Sequence, residues 1–166
     1  MSHFDDLCRL SSAVEEKKKD VERLIKREAA RLVSFYKEWL ELPAEYWLDE
    51  RGERRPYVDV GIIGSDGTFQ AARISELPMQ TDGTLHMILR TATGSDRALP
   101  VVPVPVNLQV MSADEQEIDV AISVNNERPI KVFVTATDDY TYSEVAMKIK
   151  SHIQKAIQSN YPASFM

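Results

Sequence analysis

Apolar residues recur every seven positions through the first quarter of the chain, a spacing that a helix can satisfy and a strand cannot. Leu7, Val14, Val21, Phe35 and Leu42 share one heptad position, and Phe4, Ile25, Leu32 and Trp39 share the position four residues on. Nine of the twelve slots are apolar, with Ser11, Lys18 and Glu28 as the exceptions. A stripe that spans 4–42 is far longer than the three turns or so of an average globular helix, and it requires a surface to cover it.

Composition narrows the class of fold. The 166 residues, 43% of them hydrophobic, can bury a core without disulfides or metal, and the single Cys8 forms no internal bridge. No apolar run approaches the roughly 18 residues that cross a bilayer, and the opening MSHFDDL lacks the basic-then-apolar order of a secretory signal. A cytoplasmic location with no membrane contact is therefore expected. The net charge of -6 disfavours phosphate backbones as partners. Between Lys17 and Arg31 the balance reverses to seven cations against three anions. Mixed signs at this density read as a solvated helix face laced with pairs such as Glu15 with Lys19 and Lys18 with Glu22.

The first helix begins either near Phe4 or at Ser12, where Ser12 and Glu15 form a capping box, and Pro43 ends it. From 12 to 42 it would be about 45 Å long. Residues 43–56 read as a charged connector around Gly52. Six of the thirteen aromatics, Phe35, Tyr36, Trp39, Tyr46, Trp47 and Tyr57, cluster where helix gives way to sheet. Trp and Tyr bury large areas with a polar tip, so the cluster is expected to pin the helix end.

Beyond Pro56 the period changes to strict alternation. Val58, Val60 and Ile62 share one parity, a turn follows at 64–67, and further strands are expected near 68–74 and 84–91. The clearest strands carry Val102, Val104, Val106, Leu108 and Val110, then Ile118, Val120, Ile122 and Val124, then Ile130, Val132 and Val134. Short polar connections join such strands as hairpins. A last helix is announced by a capping box at Thr141 and Glu144 with a staple of Tyr140 and Val145, and its apolar face is Val145, Ile149, Ile153, Ala156 and Ile157. The expected fold is α+β: a long N-terminal helix, an antiparallel meander of about six strands, and a C-terminal helix packed on the sheet. Residues 1–42 form the pairing helix and 43–166 the sheet with its helix, one structural domain overall.

Six strands about 4.8 Å apart make a sheet roughly 24 Å wide, so the first helix must overhang it. The half carrying Leu7, Val14, Val21, Leu24 and Ile25 is expected to self-associate, a second copy being the simplest supplier of a matching seam. Trp39, Tyr46, Trp47 and Tyr57 form the surface offered to another protein or a ligand.

Other motifs reduce to ordinary structure. In LPVVPVPV, Pro100 and Pro103 make a PxxP spacing, but Pro103 and Pro105 share parity and fit an unpaired strand edge better. GSDG at 64–67 is a hairpin turn. Asp114, Glu115, Glu117 and Asp119 lack the spacing of a calcium loop. His3, His86 and His152 lie on separate elements, and nothing near Cys8 supplies a base. No catalytic, cofactor or metal residue is expected. The reading is a non-catalytic, homodimeric protein–protein interaction module such as an adaptor, a chaperone-like partner or a neutralising protein. In the order of its elements alone the chain resembles helix-grip carriers, which implies an apolar ligand cavity, although those folds open with a strand missing here. A nucleic-acid accessory role through the face from Lys17 to Arg31 is the third reading.

Overall fold

The heptad stripe folds as one uninterrupted helix. In a computed structural model that describes residues 2–93, 101–113, 118–134 and 141–159, α1 runs His3–Trp39 straight through Ser11, about 55 Å at 1.5 Å per residue. Its start lies at Ser2, not Ser12. The Asp5 N–H donates to Ser2 Oγ at 3.1 Å and the Ser2 N–H donates to the Asp5 carboxylate at 3.3 Å, a reciprocal cap reinforced by Asp5 and Asp6 at the positive end of the helix dipole. The helix ends before Leu42, because Glu41 turns left-handed at φ 54°.

The expected connector holds a small hairpin of its own, β1 (Tyr46–Leu48) paired with β2 (Arg54–Pro56). The main sheet comprises β3 (Val58–Ile63), β4 (Phe69–Ala71), β5 (Leu85–Ala92), β6 (Val101–Ala113), β7 (Ile118–Val124) and β8 (Ile130–Phe133), all antiparallel. Their order is β4-β3-β5-β6-β7-β8. Strands β5 to β8 form a meander; β4 lies outside β3, and the chain returns past a short 3-10 turn, Ile74–Glu76, to place β5 on the other side of β3.

Alternation makes one face of this sheet aliphatic. Register aligns Val60, Leu89 and Val104 in one row, Met87, Val106 and Val124 in a second, and Leu85, Leu108, Ile122 and Ile130 in a third. Both helices cover these rows. Ile25, Leu32 and Tyr36 of α1 and Val145, Ile149 and Ile153 of α2 (Ser143–Ser159) join the strands in one core. The Tyr140 staple lies outside the described residues.

The opposite face mixes polar residues with exposed Ile63 and Phe133, and one feature of it constrains the sequence. A side chain at Gly61 would put its Cβ 2.0 Å from the Gln70 carbonyl oxygen and 2.7 Å from the Phe69 ring. The Arg90 guanidinium lies 3.7 Å above that ring while gripping Asp59 through two hydrogen bonds of 2.9 and 2.6 Å. Cation–π and bidentate contacts thus fix Phe69 over the bare glycine.

The proline-rich strand is not at an edge: β6 lies between β5 and β7. Its ladder with β7 nevertheless begins only at Val106, opposite Val124. The Pro105 carbonyl accepts from the Asn125 N–H at 2.8 Å, so the backbone groups of Pro105 and Pro103 point to the side where β7 has already ended. The missing donors fall where no strand would receive them. Pro100 lies outside the described residues.

The polar break in the heptad, Glu28, is wholly buried. Arg31 donates to its carboxylate at 3.0 Å and Arg27 at 3.2 Å, and the buried Tyr142 hydroxyl donates from the entry to α2. Satisfying a buried carboxylate this way ties α1 to α2. Nearby, Tyr36 Oη and Thr91 Oγ1 share a hydrogen bond of 2.8 Å.

Gly61→Val is expected to lower stability by about 2 kcal/mol in urea unfolding through overpacking against β4. Tyr142→Phe strips a donor from buried Glu28 and is expected to cost about 1–3 kcal/mol. Burial raises the Tyr36 and Tyr142 phenols above the usual 10.0, and hydrogen bonding and charge from Glu28 raise Tyr142 further. Their contribution is complete below pH 10 and disappears as pH climbs through the raised values, so above pH 10 Tyr142→Phe should lose less of its neutral-pH stability in urea unfolding than the unsubstituted chain does.

Candidate interaction surface

Residues 3–20 of α1 are exposed throughout, about 27 Å of helix. Phe4 is 72% exposed, Leu7 65%, Leu10 64% and Val14 44%. At 100° per residue this apolar side continues the side on which Ile25, Leu32 and Tyr36 meet the sheet. The free seam therefore faces toward the body, not away from it.

The structure distributes the anticipated self-associating residues unevenly. Leu7 and Val14 are free, and Val21 and Leu24 are half-buried where the helix meets its own domain. Ile25 is 0% exposed and has no surface to offer a second chain. The seat of α1 begins at Val21, about three turns before the aromatic-rich end from Leu32 to Leu42. Phe4 and Leu10 belong to the free seam; Phe4 was legible from the heptad itself, and Leu10 from its place one turn after Leu7.

The basic segment is largely engaged by its own helix. Lys18 meets Glu15 at 3.6 Å, Arg23 meets Asp20 at 3.4 Å and Lys26 meets Glu22 at 2.8 Å. Glu15 thus pairs with Lys18 in place of Lys19, and Glu22 with Lys26 in place of Lys18, three or four residues apart in either direction being close on a helix. Lys26 also donates to the Ser75 carbonyl at 2.9 Å, anchoring α1 to the 3-10 turn.

The four aromatics do not form one patch. Trp39 stacks beside Tyr36 at 6.5 Å, and the Lys150 ammonium lies 5.8 Å from its ring. Trp47 donates from Nε1 to the Pro56 carbonyl at 3.2 Å, closing its own hairpin. Tyr57 is half-buried, and its carbonyl accepts from the Ala92 N–H. Only Tyr46 lines the adjacent groove, a cavity of about 660 Å³ between the end of α1 and the hairpin, whose walls include Lys37, Glu38, Leu42 and Pro56.

Asp49 builds that hairpin. Its Oδ1 accepts from the Arg51 and Glu53 N–H groups, both at 2.9 Å, and its Oδ2 accepts from Arg55 at 3.0 Å, while Gly52 supplies φ 77°. The Arg55 hydrogen bond, with the backbone donors, holds the Asp49 carboxyl below its usual 3.8.

The remaining polar residues are dispersed. His3 and Cys8 are exposed on the projecting part of α1, His86 is exposed on β5, and His152 of α2 meets Glu127 at 3.3 Å. Asp119 is buried beside Lys131 at 3.5 Å; Asp114, Glu115 and Glu117 lie outside the described residues. Among the described residues no three metal-binding side chains converge, and no helix is long and apolar enough to cross a membrane. Compared with known protein families, curated proteins and solved structures, the chain finds no match in any of the three.

Asp49→Ala is expected to speed amide exchange at Arg51 and Glu53 while leaving the melting temperature unchanged, since the hairpin lies outside the core. In the unsubstituted chain, acid should open the turn only below the usual carboxylate value, because a depressed carboxyl keeps its contribution until pH falls through its folded value.

Proposed function

We propose that this chain is a non-catalytic protein–protein interaction module that self-associates through the free half of α1 and presents the groove beside the β1–β2 hairpin to a second protein. The observation that carries this reading is the row Phe4, Leu7, Leu10 and Val14, exposed on a capped helix that its own domain does not cover. Contiguous apolar surface on a soluble domain marks an interaction site more often than an accident of composition. A projecting helix of this length is also marginal alone in water, so pairing would supply the stability that its own hydrogen bonds do not.

The carrier reading gains no comparable support. The space between sheet and helices is occupied by Leu32, Tyr36, Leu89, Leu108, Ile122 and Ile149, each 0% exposed. Nucleic-acid binding has to compete with the internal ion pairs of Lys18, Arg23 and Lys26.

The full chain at micromolar concentration is expected to show twice the 18.8 kDa mass of one protomer by light scattering. Leu7→Asp combined with Val14→Asp should return it to one protomer without lowering the unfolding midpoint of the sheet domain. A single-protomer mass for the unsubstituted chain would overturn the reading.

A further inference from the structure

The self-association just proposed is the premise here, and the geometry of α1 restricts how it can occur. We infer that two copies pair antiparallel, each helix tip resting at the base of the other's projecting segment. The seam of residues 4–21 lies on the same side of α1 as the sheet that covers Ile25, Leu32 and Tyr36. A second helix laid parallel and in register against that seam would, one turn further on, enter the space already filled by the first copy's sheet. Helices pack about 8–10 Å apart, much the same depth at which the sheet lies beneath α1. Reversing the second helix removes the conflict, because each body then sits beyond the other's tip.

Charge selects the same arrangement. The tip carries Asp6 on one flank of the seam, and the base carries Lys17 on that same flank and Lys18 within the seam itself. Parallel pairing would place tip against tip and base against base, with Lys18 stacked on Lys18 in the seam. Antiparallel pairing brings Asp6 of each copy toward Lys17 of the other and moves the two Lys18 side chains apart along the seam.

The limits of the free segment also set the register. Overlap can extend until Phe4 of one copy reaches Val21 of the other, the first half-buried seam position. Ser11 then faces Val14, and Lys18 faces Leu7, where its aliphatic stem covers the leucine and its ammonium reaches solvent. The two bodies end up at opposite ends of a shared rod about 25 Å long. Their grooves would be available to two partner molecules at once.

Spin labels on single cysteines in a Cys8→Ser background, at His3→Cys, Ser12→Cys or Arg23→Cys, test this in the full chain, with circular dichroism checking that each variant retains its fold. Antiparallel pairing places like labels about 30 Å apart along the axis at 3 and at 23, and nearly level at 12, so the measured distance should pass through a minimum in the middle. Similar short distances at all three positions would overturn the antiparallel inference while leaving self-association intact. No dipolar coupling at any position, with a single-protomer mass, would remove both.

Discussion

A helix of 37 residues is laid on a body that covers only its second half. Most other features accommodate that mismatch in length. The seated half contributes apolar side chains to a single core, and the free half keeps the same apolar side with nothing of its own to cover it. A projecting helix survives only if its end is closed, and the reciprocal hydrogen bonds between Ser2 and Asp5 close it far from the sheet. The ion pairs along 15–26 add small increments in the same direction.

Where the helix enters the body, a carboxylate does the fastening. Glu28 interrupts the apolar stripe, and a break of that kind ordinarily weakens a seam. Here it meets two arginines from its own helix and a tyrosine hydroxyl from the start of α2. The contact is directional where the surrounding aliphatic packing is not, so it specifies how the two helices sit relative to each other on the sheet. Loss of the tyrosine donor would leave a buried charge short of partners, which is why a single hydroxyl matters at this position.

The sheet separates two tasks between its faces. Rows of Val, Leu and Ile receive the helices, while the open face keeps Phe69 clamped between Gly61 and Arg90. Pro103 and Pro105 sit on the part of β6 that β7 leaves uncovered, where a strand with free N–H groups would invite a further strand. The β1–β2 hairpin stands apart from both layers and depends on the side chain of Asp49 for its turn.

Periodicity alone determined the helix–strands–helix order, the aliphatic parity of β3, β5, β6, β7 and β8, and the apolar face of α2, because side-chain spacing along one segment encodes which side is buried. It also determined that α1 was too long for its platform. Tertiary structure alone decided where the seat of α1 begins, and so that Ile25 is core while Phe4 and Leu10 are free. That boundary depends on how far the sheet extends beneath the helix, a distance no local pattern records. Likewise the burial of Glu28, the placement of β4 outside β3 and the dispersal of Trp39, Trp47 and Tyr57 arise from contacts between segments far apart in the chain. A residue's type tells what it can bond to; only the folded chain brings the partner.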